Sequence, residues 1–335
     1  MRPVKIISGA EFDVKTLSAP ADDRGALNSA VNEIIAAVRA EGDAAVRRYA
    51  SRFEKETPEN FEVPLEEAKA AWEDLASGDP DLAGALKLAA ANIRRFAEIQ
   101  KSQLSSFETE MQAGLFAGQR VIPVERAAIY VPGGRYPLVS SALMGLIPAA
   151  VAGVSEKILV SPPGSGGLPD KRILAAAHLA GADRIFALGG AQAIAALALG
   201  TESIPRADLI VGAGNKYVSA AKRVLFGEVG IDLVAGPTDV LLISDEQLKT
   251  AAADMIAEAA SLIAADMLAQ AEHDPDARAR ALVPSRELAE QIAAALEEQL
   301  ALSSTGETAR ASLEAGGLII VYSSKEEAVK ITASS

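Results

Sequence analysis

From Ala127 onward the chain repeats one pattern: a short apolar run, then Gly or Pro, then an Ala/Leu-rich stretch with helical spacing. The apolar runs are Ala128–Val131, Lys157–Ser161, Arg184–Leu188 and Asp208–Val211, and Val240–Ser244, Ala281–Val283 and Leu318–Tyr322 continue the series. Runs this short, closed by glycine or proline, read as buried strands. Strand–turn–helix alternation winds through right-handed crossovers into parallel sheets. The first third has a different texture. Arg24 to Glu41 carries an apolar stripe of helical period that stops at Gly42, and shorter stripes cover 44–53 and 65–76. A longer stripe follows Asp79-Pro80, from Leu82 to Leu104, and the segment from Phe107 to Val124 reads as short strands or a hairpin. The expected class is α/β, two Rossmann-like domains with mostly parallel sheets and an N-terminal helical arm.

Composition narrows what such a fold can do. The 335 residues carry a net charge of −13, which repels phosphate backbones and leaves no basic patch for an anionic membrane surface. The longest apolar run, Ala142 to Val154, spans 13 residues and contains Pro148, whereas a membrane span needs about 20. The opening MRPVKIISGAEF lacks the apolar core of a signal peptide, so a soluble, cytoplasmic protein is expected. Cysteine is absent, which excludes disulfides, thiolate nucleophiles, iron–sulfur clusters and cysteine-type zinc sites.

Glycine turns stand beside several strands: Pro132-Gly133-Gly134, Gly189-Gly190-Ala191-Gln192, Gly212-Ala213-Gly214-Asn215 and, before VLLIS, Gly236-Pro237-Thr238-Asp239. Such turns admit a ligand close to the backbone, and helix N-termini attract phosphate, yet each alone reads first as a plain strand–helix turn, and it is four together that point to a ligand. No G-x-G-x-x-G and no G-x-S-x-G occurs, so neither the standard dinucleotide fingerprint nor a serine hydrolase is supported.

The chain has two histidines. His178, in LAAAHLAGA, reads as structural. His273, in LAQAEHDPD, follows Gln270 by three residues, so the pair forms half of a divalent-metal site or His273 simply caps a helix. Just upstream, AADMIAEA (252–259) is nearly repeated as AADMLAQA (264–271). In one continuous helix this offset adds about 18 Å and turns the register by about 120°.

Ordered blocks through most of the chain resemble the histidinol dehydrogenase family: GQRVIPVERAAIYVPGGRYP (118–137), IPAAVAGV (147–154), ALGGAQAIAALALGTESI (187–204), VGAGNKYVSAAK (211–222), GIDLVAGPTDVLLISD (230–245) and AADMLAQAEHDPDA (264–277), with GDAAVRRYASRFE (42–54) ahead of them. The resemblance implies NAD- and zinc-dependent oxidation of L-histidinol to L-histidine through the aldehyde, by a homodimer with shared active sites. It implies Gln270 and His273 as zinc ligands that also touch substrate, and Thr238 as a further substrate contact. Tyr130, Gln192 and Asn215 match NAD-contacting positions. The family's catalytic Glu-His pair matches nothing before Ser335, so general base and partner are expected beyond Ser335. Departures include Gly212-Ala213-Gly214-Asn215 for Gly-Pro-Gly-Asn and Thr238-Asp239 for Ser-Glu; the latter leaves another small alcohol as an alternative, and the unmatched general base leaves a catalytically silent chain. The expected partition is an arm at 1–25, a metal and substrate domain of 26–129 with 246–335, and an NAD domain of 130–245.

Overall fold

A computed structural model of the chain describes residues 3–13, 24–133, 138–234, 239–273, 275–303 and 306–334. It divides into two compact units, Met1–Asp22 with Gly236–Ser335, and Asp23–Ala235. The first strand, β1 (Lys5–Ser8), belongs to the former.

The larger unit opens with α1 (Arg24–Glu41) and α2 (Asp43–Phe53), joined at Gly42, whose φ of 55° suits glycine. The short strand β2 (Glu62–Val63) leads into α3 (Leu65–Gly78) and α4 (Pro80–Ser102). Asp79 caps α4, its carboxylate accepting the Leu82 N–H at 3.0 Å, and Pro80 takes the first helical position. Strands β3 (Phe107–Gln112) and β4 (Leu115–Gln119) make an exposed antiparallel hairpin. The alternating region follows as β5 (Arg126–Tyr130), α5 (Val139–Ala152), β6 (Glu156–Ser161), α6 (Lys171–Ala180), β7 (Arg184–Ala187), α7 (Gly190–Leu199), β8 (Leu209–Val211), α8 (Lys216–Leu225) and β9 (Gly230–Ile231).

These strands form a six-stranded sheet in the order β2-β7-β6-β5-β8-β9, parallel except for β2. Arg184 ties β2 to β7 by donating to both Glu62 oxygens, at 2.7 and 2.6 Å. Successive strand residues face opposite sides. Ala128, Tyr130, Ile158, Val160, Phe186 and Ile210 join one core with α1, α2, α7 and α8. Ala127, Ile129, Leu159, Ile185 and Ala187 join the other with α3 to α6. From β5 the chain steps through β6 and β7 in one direction, then returns to place β8 and β9 on the other side. The winding therefore reverses between β5 and β8, where an open parallel sheet leaves a ligand crevice at its carboxyl edge.

The smaller unit contains β10 (Asp239–Ile243), α9 (Ala253–Ala271), β11 (Arg278–Val283), α10 (Arg286–Leu302), α11 (Gly306–Gly316), β12 (Leu318–Val321) and α12 (Lys325–Ser334). Its four strands are parallel, in the order β1-β12-β11-β10. Helices α9, α10 and α11 cover one face, and α12 with Tyr322 packs on the other. The near-repeat is one continuous helix, α9, with Ile256, Ala260, Ala264, Met267 and Ala271 forming its buried stripe. The two copies face different ways: Met255 is 56% exposed and Met267 fully buried.

The observed partition differs from the expected one. Residues 26–129 belong to the same compact unit as 130–234 and not to that of 246–335: Val31, Ile34, Val38 and Val46 share a core with Tyr130 and Phe186, while Ala68, Ala71 and Leu86 share one with Ile129 and Leu159. The cause is visible in α7, where every residue from Ala191 to Ala198 is buried. A helix apolar all round needs cover on its outer side too, and α1 and α2 supply it. Likewise Lys5–Ser8, within the expected N-terminal arm, is an edge strand pairing with β12. Among the described residues no helix is long and apolar enough to cross a membrane.

Candidate functional site

In the larger unit, the carboxyl edge of the sheet gathers polar groups from four elements. Tyr130 ends β5 with its ring buried in the core. Its hydroxyl oxygen accepts the Gly190 N–H at 3.2 Å, at the start of α7. Burial pushes the phenol up to about 12. It therefore stays protonated near neutral pH.

The start of α7 is shaped by two glycines. A Cβ on Gly189 would lie 2.7 Å from Pro162 Cγ, and one on Gly190 would lie 2.6 Å from Gln192 Oε1. Gly190 also has φ +69°. The Gln192 side chain thus folds back over its own first turn and is 1% exposed. Its Nε2 donates to Glu54 Oε1 at 3.1 Å, and the same oxygen accepts the Gly189 N–H at 2.8 Å. Glu54 follows the last residue of α2, and its Oε2 is buried with no hydrogen-bond partner among the described residues. Burial holds the Glu54 carboxyl above the usual carboxylate range, against the lowering effect of the Gly189 and Gln192 hydrogen bonds.

Across the switch point, Asn215 caps α8. Its Oδ1 accepts from the N–H groups of Tyr217 and Val218 at 3.0 and 3.2 Å, which leaves Nδ2 as the outward group. The turn before it is clamped. Lys222, 1% exposed, forms an ion pair with Asp232 and donates to Gly212 O at 2.9 Å. Asp232 Oδ2 accepts the Gly212 N–H at 2.7 Å. Gly212 has φ +108°, and a Cβ there would sit 2.1 Å from Tyr130 O. Only glycine lets β8 approach β5 so closely. Ser161, ending β6, has a buried Oγ without a partner among the described residues, 3.1 Å from where a Gly133 Cβ would be.

The three residues expected to touch NAD thus stand at one sheet edge: Tyr130 and Asn215 on either side of the switch point, Gln192 at the head of α7. A dinucleotide fits what is here, because the buried Ser161 Oγ has no partner among the described residues and the Asn215 amide nitrogen is left free by its own cap. Sequence reasoning missed Glu54, Ser161 and the Lys222–Asp232 pair. Glu54 had one signal: an acid at a helix C-terminus, where the macrodipole disfavours it.

The expected metal residues lie in the smaller unit. Helix α9 returns from β10 to the start of β11, so its C-terminus lies by the amino edge of that sheet. Gln270 is half-buried in its last turn; His273 lies beyond the helix, exposed, with its N–H donating to Gln270 O at 3.4 Å. Thr238 lies outside the described residues. Among the described residues no group of three or more His, Cys, Asp or Glu side chains is gathered to hold a metal. Gln270 and His273 would supply an amide and an imidazole, two of the four donors a structural zinc site takes, and no step is derived through the metal. His178, expected to be structural, is exposed in the last turn of α6, toward the amino edge of the six-stranded sheet and away from the polar cluster.

Comparison with known proteins adds the following. The family model for histidinol dehydrogenase matches residues 17–334. A histidinol dehydrogenase homolog from Shouchella clausii is 41% identical over 316 residues, covering 94% of this chain and 71% of that protein. Histidinol dehydrogenase from Aquifex aeolicus is 44% identical over 293 residues, covering 87% of this chain and 64% of that protein. The crystal structure of histidinol dehydrogenase from Elizabethkingia anophelis superposes with a TM-score of 0.85 at 32% identity, covering 99% of this chain and 74% of that one.

Proposed function

The chain belongs to the histidinol dehydrogenase family, and from that premise we propose that it acts in the NAD-linked oxidation of L-histidinol to L-histidine, with the dinucleotide held at the carboxyl edge of the six-stranded sheet. The observation that carries the reading is the gathering of Tyr130, Gln192 and Asn215 around the β5/β8 switch point, at the carboxyl edge of the sheet.

NAD+, when bound, supplies the hydride acceptor. The chain's own residues hold and orient it. The protonated Tyr130 phenol keeps an O–H donor next to the α7 turn. Gln192 is anchored through its amide nitrogen and Asn215 through its amide oxygen, so the edge offers an acceptor on one side and a donor on the other. Lys222 and Asp232 hold both backbone groups of Gly212, which fixes the distance between the two sides. Such fixed geometry is what a hydride transfer needs from its scaffold. Substrate contact is proposed for Thr238, Gln270 and His273 on the strength of the resemblance. Zinc is retained as part of the family's chemistry, with Gln270 and His273 as the two donors this chain would contribute. Homodimerisation and a cytoplasmic location rest on the same resemblance.

The test is NADH formation from L-histidinol, followed by absorbance, using the protein alone and with added Zn2+. Histidinol-dependent NADH supports the reading. NAD reduction by other small alcohols but not by L-histidinol would replace the substrate and keep the site.

A further inference from the structure

Resting on the proposed nucleotide site, one residue near it carries more than its neighbours do. Glu54 comes from α2, outside the alternating region, yet its Oε1 takes both the Gly189 N–H and the Gln192 amide. An amide side chain can turn either end outward, and its hydrogen bonds decide which. Here one Nε2 N–H goes to Glu54, which turns the nitrogen end of the amide toward α2 and leaves Oε1 on the Gly190 side, so Gln192 presents an acceptor there. The carboxylate also occupies the N–H at the head of α7, a place where a phosphate would otherwise find a donor. A negative group arriving there would face the Glu54 charge, whose second oxygen has no neutralising partner among the described residues.

We infer that Glu54 is a positioning residue of the nucleotide site: it holds Gln192 with its carbonyl toward the ligand, so that this side of the crevice takes a neutral hydrogen-bond donor, a ribose hydroxyl or a carboxamide, and not a phosphate. The carboxylate acts through Gln192 and touches no ligand atom itself.

The experiment is direct titration of the 335-residue protein with NAD+, by calorimetry, for wild type, Glu54→Gln, Gln192→Ala and the double variant. Glu54→Gln is isosteric, but its own amide competes for the same contacts and frees Gln192 to turn. Wild type should bind NAD+, and Gln192→Ala and Glu54→Gln should each weaken binding about fivefold or more. Adding Glu54→Gln to Gln192→Ala should change the Kd less than twofold, because the residue it acts through is gone. A merely structural Glu54 would weaken binding equally in both backgrounds, and that result overturns the inference. So does a Glu54→Gln Kd within twofold of wild type while Gln192→Ala is weak; the nucleotide site itself then stands. No NAD+ binding by wild type, or full affinity in Gln192→Ala, overturns site and inference together. Glu54→Asp, which keeps the charge but is too short to reach Gln192, should match Glu54→Gln if the variant folds as wild type by circular dichroism, and wild-type affinity in it counts against the inference. Repeating the series with ADP-ribose separates the two donor sources: the Glu54→Gln penalty persists for a hydroxyl and disappears for the carboxamide.

Discussion

Glu54 shows how one residue couples local chemistry to stability. Its carboxyl is raised in the folded protein because burial outweighs the hydrogen bonds from Gly189 and Gln192. The unfolded chain titrates near the ordinary glutamate value of about 4.3. Between that value and the raised folded one, the native state binds more protons than the unfolded state, so stability falls as pH rises. Denaturant midpoints measured from about pH 4 upward should therefore fall for wild type relative to Glu54→Gln; midpoints that run parallel across that range would show the carboxyl is not strained. Individual site residues were legible to different degrees. Tyr130, Gln192 and Asn215 were marked by the family resemblance, and they also stand in glycine turns or at strand ends that the fold brings to one edge. Ser161, Lys222 and Asp232 could not be marked, because their roles depend on partners on other elements or on burial that no local pattern reports, and Glu54 left only the signal of an acid at a helix C-terminus.

At the scale of elements, the periodic runs translated closely into structure. Each of the seven apolar runs became a strand, and the stripes at 24–41 and 65–76 became α1 and α3. β1 escaped because a four-residue strand at a sheet edge is specified by its neighbour β12 and not by its own pattern. The near-repeat resolved into a helix whose copies point apart, and this has a measurable consequence. Met267→Ala should cost about 3 kcal/mol of unfolding free energy, the usual range for a buried methionine. Met255→Ala, on the exposed copy, should stay within about 0.5 kcal/mol. Equal losses would contradict a single helix with a 120° offset. The β8 turn makes a second case. Gly212→Ala forces a Cβ to 2.1 Å from Tyr130 O at φ +108°. It should destabilise by about 3 kcal/mol or more and weaken NAD+ binding as well, since β5 and β8 must separate. An alanine variant as stable as wild type would mean the turn is not held where Lys222 and Asp232 place it.

At the scale of the whole molecule, the α/β class with mostly parallel sheets was readable, but the assignment of the first hundred residues was not. Sequence order suggested that helices α1 to α4 belong with the C-terminal segment; the packing of the all-apolar α7 assigns them to the neighbouring sheet. That sheet, wound in two directions from β5, is what gives the proposed nucleotide site its place. The most direct measurement is therefore a crystal structure of the protein grown with NAD+. The account predicts ligand density at the carboxyl edge of the six-stranded sheet, in contact with Tyr130, Gln192 and Asn215. Well-ordered NAD+ at the amino edge of that sheet, or bound without touching those three residues, would contradict it.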